Sequence, residues 1–218
     1  MSRSLPTRTI RLAVVTALVF VLAAGLAGCG KSNSSSNSPS SSSASTQTTA
    51  PVAAVTAKQG LPLAVSALST TMPEGKLLLV ASSAVITPQA PPTWQYLFGS
   101  PKTNLTYVVV LKDGKASAIK YGKADLSASE WKAVPSTDAW KIDSDAALAK
   151  ASAVYKNAKK DTAYILGFVS YVPKSAAKSK TPAMTWSVSF DPSTRGTAET
   201  STVDVNIETG VAGFAKAK

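Results

Sequence analysis

Thr93-Trp94-Gln95-Tyr96-Leu97-Phe98, "TWQYLF", returns later in the chain as Thr185-Trp186-Ser187-Val188-Ser189-Phe190, "TWSVSF". In both, every second residue is large and apolar, the period of a strand with one buried face. Each is followed by a second alternating stretch. Tyr107-x-Val109-x-Leu111 follows the first and Val203-x-Val205-x-Ile207 the second, and the two align on their apolar positions.

Outward from this pair, a similar order is legible twice. The first copy opens with a helical stretch near Gln59 to Thr71, with Leu61, Val65 and Leu68 at three-to-four spacing and a stop at Pro73-Glu74-Gly75. Strands are predicted at KLLLVASSAV, TWQYLF, LTYVVVLK and KASAIKY, the last two joined by Asp113-Gly114, a strong hairpin signal. The second copy opens at IDSDAALAKASAVYKNAKK, where Asp143 or Ser144 caps a helix with Leu148, Ala151, Tyr155 and Ala158 on one face. Strands follow at TAYILGFVSYV, MTWSVSF, STVDVNIE and VAGFAK. Between the copies, Ser127-x-x-Glu130 reads as a capping box before a short helical turn, and Trp131 and Trp140 are expected to pack at the junction.

The expected fold class is therefore α+β: two repeats of a helix followed by a four-stranded antiparallel sheet. One such unit is small. Two side by side could share a core or extend one sheet.

The N-terminal segment is of another kind. Arg3, Arg8 and Arg11 precede LAVVTALVFVLAAG, Leu12 to Gly25, an apolar run too short to span a bilayer as a helix. A basic region, an apolar region and small residues make a secretory signal peptide. Its end, Leu26-Ala27-Gly28-Cys29, resembles the bacterial lipobox. That resemblance implies cleavage before Cys29, transfer of a diacylglyceryl group to its thiol, acylation of the new amine with a chain such as palmitate, and anchoring at the extracytoplasmic face of the cell membrane. Two or three acyl chains, at about 0.8 kcal/mol per buried CH₂, hold far more firmly than one.

GKSNSSSNSPSSSSASTQTTA, after Cys29, has too little apolar surface to offset the entropy of ordering its backbone and reads as a disordered tether. Twenty such residues reach about 25 Å. The expected organisation is 1–28 signal peptide, 29–50 lipidated Cys29 and tether, 51–123 first repeat, 124–141 connector and 142–218 second repeat. With its one cysteine taken by lipid, the chain has no internal disulfide, and the exported domain depends on its core.

The second copy resembles PepSY-type domains. Trp140-Lys141-Ile142-Asp143-Ser144-Asp145-Ala146-Ala147-Leu148 matches their capped Ala-rich helix, the Trp186 strand their aromatic-containing strand, and Val205-Asn206-Ile207-Glu208-Thr209-Gly210 their closing "DxxTG"-like turn, here without the usual Asp. The first copy, with Val110-Leu111-Lys112-Asp113-Gly114, looks like a more diverged version. The resemblance covers about Leu61 to Phe214 and implies an inhibitory or binding role toward another envelope protein such as a peptidase. A tandem α+β arrangement also resembles secreted beta-lactamase inhibitor proteins. Neither family supplies a catalytic residue.

Residue chemistry points the same way. There is no histidine, which removes the commonest general base and every imidazole-dependent triad. Ser117-x-x-Lys120, Ser129-x-x-Lys132 and Ser175-x-x-Lys178 match S-x-x-K, a pattern expected by chance in a chain this rich in both residues, and no K-T-G partner accompanies them. Asp143 and Asp145 begin a helix, and Asp113, Asp191 and Glu208 sit at turns or strand ends, where capping accounts for them. No nucleotide loop or EF-hand spacing is present, so no cofactor or metal is expected.

Net charge is +11, falling to +8 once the three arginines of the signal are gone, without a Lys/Arg run dense enough for nucleic acid. The expected function is a lipid-anchored, non-catalytic binding or regulatory protein whose partners are the membrane, through Cys29, and an envelope protein. The alternative is a carrier or sensor of a small apolar or glycan ligand, with Trp94, Tyr96, Trp186 and Phe190 lining its groove, although their period-two spacing on strands reads first as core.

Overall fold

The computed structural model describes residues 55–87, 92–156, 162–172, 183–190 and 202–215. The expected signal peptide, lipidated Cys29 and tether lie outside them. The described chain is α+β, as expected, with eight strands in one antiparallel sheet.

Helix α1, Ala57–Leu68, leads into strands β1 (Lys76–Ser82), β2 (Trp94–Gly99), β3 (Leu105–Lys112) and β4 (Lys115–Lys123). A connector carries the short helix α2, Ala128–Ala133, and a single 3₁₀ turn. Helix α3, Ser144–Val154, is followed by β5 (Tyr164–Val169), β6 (Thr185–Phe190), β7 (Thr202–Asn206) and β8 (Ala212–Phe214). The sheet order is β4-β3-β2-β1-β5-β6-β7-β8, two meanders joined back to back at β1 and β5.

Local chemistry accounts for these limits. Thr56 caps α1 in a capping box with Gln59, and Ser127 caps α2 in another with Glu130. Asp113 and Gly114 both take positive φ, as a tight primed turn requires, so Lys112 pairs with Lys115 across it.

α1 lies over β2, β3 and β4, and α3 over β6, β7 and β8, on the same sheet face. Val80, Trp94, Tyr96, Phe98, Val109, Leu111, Phe168, Trp186, Val188, Phe190, Val203 and Val205 point into that face and join one cluster running through both halves of the chain. At its centre the Trp186 ring meets Phe168 at 4.8 Å and Trp140 at 5.8 Å, both edge to face.

Such large residues on the sheet require small ones on the helices. α1 buries Ala57, Gly60, Ala64 and Leu68, while Val65, expected on the core face, is half exposed. α3 buries Ser144, Ala147 and Ala151, with Leu148 and Tyr155 packed at the margin. Ala158 lies outside the described residues.

Two further expectations are corrected by the pairing. Trp94 lies opposite Leu111 and Tyr96 opposite Val109, while Trp186 lies opposite Val205 and Val188 opposite Val203. Relative to the two tryptophans, Val109 and Leu111 on β3 take the places that Val203 and Val205 take on β7, two residues from the alignment expected. A shift of two keeps the same face, so alternation alone cannot detect it.

The two connector tryptophans also part company. Trp140 enters the main core, whereas Trp131 covers Gly99 and Leu78 on the opposite sheet face, with Leu126 and Val134. The Lys76 ammonium donates to the carbonyls of Trp131 and Val134 at 2.9 and 3.3 Å and holds α2 there. A side chain at Gly99 would overlap the Trp131 ring, so that glycine permits the contact.

Candidate functional site

Cys29, the expected lipidation site, lies outside the described residues, as do Asp191 and the Ser175/Lys178 pair. Ser117 pairs with Val110 on one sheet face and Lys120 with Tyr107 on the other, so no Ser–Lys contact forms. Ser129 and Lys132 sit on α2, both exposed, where the Ser129 hydroxyl lies 3.1 Å from that of the N-cap Ser127. Among the described residues there is no group of three His, Cys, Asp or Glu placed to hold a metal ion.

The four aromatic residues considered as a groove lining are core. Trp94, Tyr96, Trp186 and Phe190 are at most 2% exposed. Their polar atoms are engaged as well: Trp94 Nε1 donates to the Val55 carbonyl at 2.8 Å, Tyr96 Oη to that of Ala57 at 2.7 Å, and Trp186 Nε1 to that of Ile142 at 2.9 Å. In this packing they present no face to a ligand.

Asp143 and Asp145 accept from backbone amides at the start of α3. Asp143 is the N-cap of α3, and its carboxylate accepts from the Ser144 amide and also reaches the start of α1. There it accepts from the Thr56 hydroxyl and from the Lys58 amide, the latter at 2.9 Å, while Ser144 Oγ accepts from the Ala57 amide at 3.0 Å. Two helix N-termini therefore share one carboxylate, and their partial positive charges hold it. Burial first, then this carboxylate, push the Tyr96 hydroxyl above the ordinary phenol range. Glu208 meets Lys141 at 3.4 Å in an exposed pair of little energetic consequence.

What the fold leaves open is an edge. All nine residues of β4 are exposed or half-exposed, and among the described residues no strand lies beyond it in the sheet order. It carries Lys115, Lys120 and Lys123, with Lys112 across the turn, and exposes Ile119 and Tyr121 by 52% and 44%. The opposite edge, β8, is three residues long. Sequence reasoning identified the hairpin but not this surface, because alternation does not tell whether a strand is central or terminal.

Among the described residues, no helix is long and apolar enough to cross a membrane. Comparison with protein-family models, curated proteins and solved structures finds no match to this chain.

Proposed function

We propose that this chain is a lipid-anchored extracytoplasmic protein that binds, and thereby regulates, another envelope protein, a peptidase being the class suggested by the PepSY resemblance, without catalysing a reaction itself. The anchor is argued from Arg3, Arg8 and Arg11, the apolar run to Gly25, the Leu26-Ala27-Gly28-Cys29 motif and the serine-rich tether.

The fold is read as a duplicated unit. In support, Trp94 on β2 bonds the carbonyl of the residue preceding the α1 cap, and Trp186 on β6 bonds the carbonyl of the residue preceding the α3 cap. Val80 faces Tyr96 as Leu166 faces Val188, and β1 and β5 pair antiparallel, as a duplication would have it. A local two-fold axis passing between the paired Ala81 and Gly167 would account for that pairing. In support of the PepSY likeness, Asn206 Oδ1 accepts from the amides of Glu208 and Thr209 at 2.9 and 2.8 Å. The turn needs an acceptor oxygen at that position, and an Asn supplies it as an Asp would.

The observation that carries the binding role is the uncovered β4 edge. The test is affinity capture with the tagged, lipidated chain from detergent-solubilised membranes. A specific envelope protein is expected, absent when an unrelated lipoprotein is the bait; recovery of none refutes the role. Palmitate labelling that persists in Cys29→Ala would refute the anchor.

A further inference from the structure

We infer that the partner engages this chain through an acidic extended segment that adds a ninth strand along β4. This rests on the binding role proposed above and specifies its chemistry.

In a two-residue hairpin the pair flanking the turn is hydrogen-bonded, here Lys112 with Lys115, and bonded and non-bonded pairs then alternate. Ala116, Ala118 and Lys120 fall at non-bonded positions and turn their N–H and C=O groups away from β3, toward open solvent. These groups form a template for strand addition, in which main-chain bonds supply affinity and side chains supply selection.

The side chains select for charge. From Lys112 to Asp125 there are four lysines against Asp113 and Asp125, and Lys115, Lys120 and Lys123 are all exposed. Edge lysines discourage pairing with neutral strands, because their charge would be desolvated. They refuse a second copy of the same edge, whose lysines would come to lie among their own. A segment carrying carboxylates removes both penalties, so the residues that guard the edge against most strands admit an acidic one. Half-exposed Ile119 and Tyr121 leave apolar area for the segment's intervening side chains.

The test uses the mature chain from residue 29 carrying Cys29→Ser, titrated with a capped octapeptide alternating Glu and Val, and with a control alternating Lys and Val. Binding of the Glu peptide alone is expected, with slowed amide exchange at Ala116, Ala118 and Lys120. Ala118→Pro deletes an outward N–H, a position where an edge strand tolerates proline, and should weaken binding at least about tenfold. The triple variant Lys115→Glu/Lys120→Glu/Lys123→Glu, confined to the surface, should do the same.

Failure of the parent to bind the Glu peptide overturns the inference, and so does equal binding by Ala118→Pro, which would mean charge attraction without strand addition. Binding instead to phosphatidylglycerol vesicles, unaffected by Ala118→Pro, would overturn it and assign the edge to the membrane surface. If the capture experiment recovers a partner that Ala118→Pro holds as well as the parent does, the binding role stands and strand addition falls; if it recovers none, the role itself falls.

Discussion

Replacing Asp143 by alanine tests whether the two halves are fastened where their helices begin. An ordinary N-cap lost to alanine costs about 1 kcal/mol. Asp143 also accepts from the Thr56 hydroxyl and the Lys58 amide of the other helix. Two hydrogen bonds to a charged acceptor add about 1.5 kcal/mol each, somewhat less here because the site is only partly buried. The expected loss is about 3 kcal/mol. For a domain of this size that lowers the melting temperature by about 6–12 °C. Ser127→Ala, at the cap of α2, removes a cap with no partner helix and should cost about 1 kcal/mol. Urea unfolding of the parent and both variants measures the difference, provided the denaturant slopes agree. A cycle with Thr56→Ala isolates the cross-helix part, expected to exceed about 1 kcal/mol of coupling. If Asp143→Ala costs no more than Ser127→Ala, or the cycle shows no coupling, the carboxylate is a cap for α3 alone and the argument fails.

Gly60→Ala should destabilise by about 1–2 kcal/mol in the same assay, because overlap with the Leu111 methyl and the Tyr96 hydroxyl outweighs the gain of about 1 kcal/mol in helix propensity. A stabilised variant would show that α1 sits farther from the sheet than described. Tyr96→Phe should cost about 1 kcal/mol at neutral pH through the bond to the Ala57 carbonyl. The raised hydroxyl favours the neutral, folded form, so its contribution is complete below about pH 10 and is lost as pH rises through the folded value. The gap between parent and variant should therefore narrow above about pH 10, and a gap unchanged at high pH would contradict the burial. Asn206→Asp should leave stability within about 0.5 kcal/mol, whereas Asn206→Ala should lose about 1–2 kcal/mol by stranding the Glu208 and Thr209 amides. Equal losses would mean that the oxygen is not what closes the turn.

Strand positions are legible where alternation marks one dry face, as on β6 and β7, and where turn residues bound the run, as at the β3–β4 hairpin. LTYVVVLK coincides with β3, and Asp113-Gly114 takes the positive φ values its composition demands. Helix faces were less legible: Leu61, Val65 and Leu68 satisfy the spacing, but the buried stripe is Ala57, Gly60, Ala64 and Leu68. A hydrophobicity pattern ranks valine above glycine, while a sheet lined with tryptophan, tyrosine and phenylalanine leaves room only for the smaller residue. α1 begins at Ala57, two residues before the Gln59 expected, and the Thr56-x-x-Gln59 capping box that marks this start is present in the sequence. The open edge and the shared carboxylate were out of reach, since both depend on which strand neighbours which.

That neighbour relation also bears on why the edge is where it is. A lone four-stranded meander has two open edges, and two separate units would have four. Pairing β1 with β5 closes one edge of each, and the close approach there is visible at Gly167, where a side chain would sit 2.8 Å from the Val80 carbonyl oxygen. The sheet order then ends in β4 and β8. β8 spans three residues, too few for a stable ladder, so one exposed terminus is blunted by length. β4 spans nine and is guarded by lysine instead. Length protects against every partner alike, whereas charge protects against all but those that neutralise it. A domain that needed only solubility could shorten both edges; among the described residues the long basic edge is the one on which the acidic strand proposed above would dock.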